Sequence, residues 1–159
     1  MKVWPLIVAA FLAGCARAQL PLMVRFPEGS VLELSTDAVV FDLGRQGFPP
    51  RRLPAYYPPT GPGTPVTLRL YSNLEGSWAL VAEMTALTRE DGRWLPASRL
   101  EVRLDGGPWL ALGKPVTLWV GQGPTQGYHE FRLEFRLRVE GDEQPGRYRG
   151  ALLLRLSRL

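Results

Sequence analysis

The chain is poor in the residues that build reactive centres. It has one cysteine, Cys15, and one histidine, His129. A structural or catalytic zinc site draws three or four ligands mostly from those two types, so no metal site and no cofactor site is expected. With no second cysteine there is no intramolecular disulfide, and packing alone must hold the domain. Asparagine occurs once, at Asn73, isoleucine only at Ile7, and lysine only at Lys2 and Lys114. Arginine supplies most of the positive charge, a bias that fits both a GC-rich genome and a thermophile. The formal net charge of +4 is small and the arginines alternate with glutamates, so nucleic acid is not an expected partner. No apolar run reaches the roughly 20 residues that cross a bilayer core.

What the chain does have begins at its start. Met1-Lys2 is followed by the uncharged apolar run 3–14 and by Ala16-Arg17-Ala18 ahead of Gln19. This is the layout of a secretory signal peptide over 1–18, leaving 19–159 as one domain. Two processing sites fit. One is cleavage after Ala18. The other is Leu12-Ala13-Gly14-Cys15, a lipobox whose cysteine would carry diacylglycerol and become the first mature residue. In that case residues from Ala16 to about Val24 are expected to form a tether. Either way the protein works outside the cytoplasm, at the cell surface, in a periplasm or secreted, and meets a membrane only through a lipid on Cys15.

Period-two alternation dominates the rest. Phe131, Leu133, Phe135, Leu137 and Val139 alternate with Glu130, Arg132, Glu134, Arg136, Arg138 and Glu140, which predicts a strand with one apolar and one charged face. The mixed signs suit cross-strand pairing on a solvated surface. Shorter runs at 66–71, 78–84, 99–104, 116–120 and 148–156 repeat the pattern, and 22–26, 31–34 and 39–43 are expected early strands. Leu100 to Leu104, Asp105-Gly106-Gly107 and Trp109 to Leu112 read as a hairpin. No stretch after the leader keeps helical periodicity over three turns. The fold class is therefore all-β, an antiparallel β-sandwich.

The exception is the Pro-rich loop 44–65, which holds seven prolines with Phe48, Tyr56 and Tyr57 among them. It is expected to lean towards polyproline II without joining a ladder. An exposed tryptophan beside Tyr56 and Tyr57 would make a ligand platform, with Trp94, Trp109 and Trp119 as the candidates. Trp78, on the apolar face of its strand, is expected in the core. No nucleophile, base and acid can be assembled, and the glutamates of 130–140 sit among arginines that hold carboxylates ionised. The chain is thus not expected to be an enzyme.

Two segments resemble a known group. Gly76-Ser77-Trp78-Ala79-Leu80-Val81 carries a Trp-x-Leu at a strand start. Pro145-Gly146-Arg147-Tyr148-Arg149-Gly150-Ala151-Leu152-Leu153-Leu154-Arg155-Leu156 is similar to a terminal strand entered through Pro-Gly and a Tyr. Over 65–159 the chain resembles the WxL-type domain of cell-wall-associated proteins and the related pilus-subunit and spore-coat-protein-U-type domains. The resemblance implies an immunoglobulin-like sandwich closed by the last strand, entered by a type II turn at Pro145-Gly146. It also implies a structural or adhesive role in the bacterial envelope, with cell-wall polysaccharide or another envelope protein as partner. The WxL pattern has a second Trp where this chain has Leu154, so the resemblance carries the fold rather than wall binding. Two other roles compete: a carbohydrate-binding module, and a pilus-like subunit that self-associates by donating the strand 19–26.

Overall fold

The longest strand, β12 (His129–Val139), sets the architecture. Its alternation is realised residue by residue, with Phe131, Leu133, Phe135, Leu137 and Val139 buried and the charged residues between them turned out. The structure, a computed structural model, describes residues 17–24, 29–43, 47–60, 62–89, 91–146 and 148–159. Around β12 lie β9 (Leu100–Leu104), β5 (Val66–Ser72) and, beyond them, β10 (Leu110–Ala111) and β2 (Ser30–Leu34), in the order β10-β9-β12-β5-β2. All of these pairs are antiparallel.

The second sheet is built on β6 (Ser77–Met84) and β14 (Leu152–Arg158), paired antiparallel from Leu152–Met84 to Arg158–Trp78. β11 (Val116–Gln122) flanks β6. Both central strands are interrupted and resume. β7 (Leu87–Arg89) follows β6 and β13 (Tyr148–Arg149) precedes β14, and these also pair. The interruptions face each other: Thr85 N–H donates to Ala151 O at 3.1 Å and Ala151 N–H to Thr85 Oγ1 at 2.9 Å. β8 (Trp94–Leu95) completes a hairpin with β7.

The first strand departs from expectation twice. Residues 17–24 are not a tether but β1 (Arg17–Val24), paired antiparallel with β3 (Ala38–Asp42) and parallel with β13 and β14. Parallel pairing needs a long connection, and here nearly the whole domain lies between the two strands. Alternation of Leu20, Leu22 and Val24 marks a strand but does not reveal whether a partner waits in the fold.

The apolar faces of the two sheets meet in one core. Leu20, Phe41, Trp78, Leu80, Leu152 and Leu154 on one side face Leu32, Val66, Leu68, Leu100, Leu133 and Phe135 on the other. Each fully buried leucine contributes about 1.5–3 kcal/mol as an upper estimate. The chain is an all-β sandwich. Among the described residues no helix is long and apolar enough to cross a membrane.

Turn chemistry follows the sequence at one place and departs from it at another. Asp105 and Gly106 both have positive φ, 47° and 72°, and Gly107 N–H donates to Leu104 O at 2.8 Å, the two-residue turn that Asp-Gly favours. Pro145-Gly146 is not a type II turn, which would require positive φ at Gly146. Gly146 is needed there for space, because a Cβ would stand 2.5 Å from Arg89 Nε. Tyr148 does pack at the strand entrance, buried, its hydroxyl donating to Gln144 O at 3.1 Å.

Candidate functional site

The outward face of β12 and β9 is where the predicted charge alternation becomes a surface. The register sets Glu134 opposite Arg103 and Arg136 opposite Glu101. Opposite charges therefore meet directly: Arg103 Nε donates to Glu134 at 2.6 Å, and Arg136 Nε donates to Glu101. Further along the face Arg69 bridges Glu33 at 2.9 Å and Glu130 at 3.4 Å. The Glu134 carboxyl is held below the ordinary carboxylate range, chiefly by the hydrogen bond from Arg103. Such a carboxyl is ionised at neutral pH and has no proton to give.

These ion pairs lay two guanidinium planes on the sheet, and aromatic rings cover them. Arg136 Cζ lies 3.9 Å from the centroid of Tyr56 and 4.3 Å from that of Trp109, and Arg103 Cζ lies 4.5 Å from Trp109. Tyr56, Arg136, Trp109 and Arg103 thus form a stacked series of the cation–π kind. Tyr56 reaches it because part of the Pro-rich segment does join the sheet. β4 (Ala55–Tyr57) pairs antiparallel with the end of β12, Tyr56 opposite Arg138. The expectation that 44–65 stays out of the ladder fails at Ala55, Tyr56 and Tyr57, three consecutive residues between Pro54 and Pro58 that keep their N–H donors. Tyr56, Trp109, the two arginines, Pro58, Pro59 and Pro65 enclose an open cleft of about 370 Å³. It offers flat apolar rings beside charged hydrogen-bonding groups. That suits a ligand with both an apolar face and hydroxyl or carbonyl groups.

The other sequence candidates fall elsewhere. Tyr57 is buried, because adjacent residues of a strand point to opposite faces, and its hydroxyl faces Gly47 O at 3.5 Å. It belongs to the core and not to a ligand surface. Burial, and secondarily the charge of Glu143, raise the pKa of its phenol. Trp119 is half-buried, edge-on to Trp78 with centroids 5.0 Å apart and 4.9 Å from Phe131, so it closes one margin of the core. Trp94 is exposed and lines a different hollow with Arg93, Asp142, Gln144 and Tyr148. Trp78 is in the core, as its alternation predicts, with its indole N–H donating to Gly123 O at 2.9 Å. Cys15 lies outside the described residues. Arg103 and Arg136 were legible as members of a charged face but not as a stacking platform. Their signal lay in the opposite-sign register of two facing strands.

Compared with known proteins, the chain matches no protein family model and no curated protein.

Proposed function

We propose that the protein is a non-catalytic, adhesive component of the bacterial cell envelope that works outside the cytoplasm and binds polysaccharide in the Tyr56–Trp109 cleft. The observation that carries this reading is the assembly of Tyr56, Arg136, Trp109 and Arg103 into one stacked, solvent-open surface. Sugar rings present C–H faces for stacking and hydroxyls for charged acceptors and donors, and the cleft has both. The likeness of 65–159 to WxL-type and pilus-type sandwiches supports an envelope setting and an immunoglobulin-like topology.

The pairing of Arg17 and Ala18 within β1 supports the lipid-anchor reading of Cys15 over cleavage after Ala18. β1 pairs from Arg17 onward, Arg17 with Asp42 and Ala18 with both Phe41 and Tyr148. A cut after Ala18 would remove two paired residues, whereas a cut before Cys15 keeps the strand whole. That β1 fills its place between β3 and β14 in its own chain supports a self-contained domain over a polymer built by strand donation.

The test is retention of the mature protein on isolated cell walls and insoluble polysaccharide. Trp109→Ala and Tyr56→Ala are expected each to weaken retention about tenfold, near 1.4 kcal/mol, with thermal unfolding still cooperative. No retention of the unaltered protein on any wall fraction would end the polysaccharide reading.

A further inference from the structure

One end of the sandwich collects exposed apolar and cationic side chains around the first described residues of β1. Trp94 is the most exposed aromatic among the described residues, at 65%, and Leu53 is exposed at 53%. They belong to different segments but to one surface. The Leu53 side chain lies over Gly141, with its Cδ1 2.6 Å from where a Cβ would stand, and the next residue, Asp142, lines the hollow that holds Trp94. Tyr148 lines the same hollow and is the register partner of Ala18 in β1. The described part of β1 therefore begins beside this patch.

Cationic and anionic side chains both lie around it. Arg51 and Arg52 precede Leu53 and are exposed, and Arg93 is exposed beside Trp94. Four described carboxylates on the same end, Asp91, Glu140, Asp142 and Glu143, are engaged with arginines of the domain. Glu140 and Asp142 lie 3.0 and 2.9 Å from Arg99, Glu143 is buried against it, and Asp91 lies 3.5 Å from Arg89 and 3.7 Å from Arg93.

We infer that this end of the sandwich rests on an anionic lipid bilayer, with Trp94 and Leu53 at headgroup depth and Arg51, Arg52 and Arg93 on the lipid phosphates. The inference rests on the lipid-anchor reading of Cys15. Ala16 alone separates Cys15 from Arg17, a reach of about 7 Å at full extension. An anchor so short brings the end of β1, and whatever surrounds it, against the headgroups. The residues found there match what that layer selects: a tryptophan with an apolar body and a polar N–H, and arginines beside anionic lipid. They would also supply the second attachment that makes a lipid anchor stable. The Tyr56–Trp109 cleft, on the outer face of the other sheet, stays open to the wall side.

The test uses the mature protein purified from its own cells. Intact mass first shows whether Cys15 carries lipid. The protein is then reconstituted in vesicles of equal parts phosphatidylcholine and phosphatidylglycerol, a fraction of them brominated high on the acyl chain, and tryptophan emission is read. We expect quenching that is lost in Trp94→Phe and kept in Trp109→Phe, and that falls severalfold when Arg51 and Arg52 are both changed to glutamate. Lipidated protein whose quenching is absent, or unchanged by Trp94→Phe, would overturn the inference and leave the anchor standing. Equal quenching in phosphatidylcholine alone would overturn the anionic requirement. A mass starting at Gln19 without lipid would overturn the anchor reading itself, and with it the ground for this one.

Discussion

Arg99 and Glu143 form an ion pair of 2.6 Å with both side chains out of solvent. Each partner is bound on its other side. Glu143 accepts the backbone N–H groups of Glu140 and Gly141, both at 2.8 Å, and Arg99 reaches Glu140 and Asp142. The pair fastens the loop after β12 to the 3-10 turn Ala97–Arg99. Breaking a buried pair by removing one partner costs about 3–5 kcal/mol, because the other charge is left buried. Arg99→Leu is expected to lose that much in urea unfolding. Arg99→Lys should recover only part of it, since one ammonium cannot address three carboxylates in the fork geometry of a guanidinium. A loss below about 1 kcal/mol would mean that the loop relaxes and hydrates the glutamate.

Gly121 matters for the room it leaves. A Cβ there would sit 2.3 Å from Cζ2 of Trp78, the largest fully buried side chain. The indole is also pinned by its hydrogen bond to Gly123, so it cannot turn aside without losing a partner. Gly121→Ala is expected to cost about 1–3 kcal/mol as overpacking, with a changed Trp emission spectrum in the folded state. An unchanged urea midpoint would show that β11 moves outward instead.

Much of the fold was legible because period-two alternation has a single physical reading on a half-buried sheet. Phe131 to Val139, Val66 to Leu70, and Trp78, Leu80, Ala82 and Met84 all face the core as their spacing requires. The Leu100–Leu104 hairpin was legible because Asp-Gly accepts positive φ. What failed was long-range. Nothing within Arg17–Val24 says that its partner is the last strand of the chain, nor that the pairing is parallel. The Pro-rich segment hid β4 because proline content describes a window, whereas ladder formation depends on which individual residues keep an N–H. The cleft was half legible: Tyr56 and Trp109 were singled out, but the arginines between them read only as a wet charged face. Tyr57 was misplaced because the strand that splits it from Tyr56 was not foreseen.

The stacking of Tyr56 on Arg136 is measurable apart from any ligand. Both groups are partly exposed, so their coupling should be about 0.5–1 kcal/mol. A double-mutant cycle with Tyr56→Leu and Arg136→Met, followed by urea unfolding, isolates it. Additive losses would show that Tyr56 is held by β4 pairing alone, and that the cleft wall is set by the backbone.

Acid stability supplies the last prediction. The Glu134 carboxyl titrates below its ordinary value of 4.5 in the folded protein, through the Arg103 hydrogen bond and, less strongly, the nearby charges of Arg103 and Arg132. Between the folded and unfolded values the unfolded chain holds more protons, so stability rises with pH across that window. The contribution of Glu134 is complete above the unfolded value and is lost as pH falls through the folded one. Glu134→Gln keeps an acceptor for Arg103 but removes the titration. Its stability should therefore lie below that of the unaltered protein at neutral pH, with the difference closing once the pH drops beneath the ordinary carboxylate range. Urea midpoints for both proteins across acid and neutral pH check this. Parallel curves through the acid region would mean that Glu134 meets the same electrostatic environment folded and unfolded, and that the Arg103 bond is not maintained in solution.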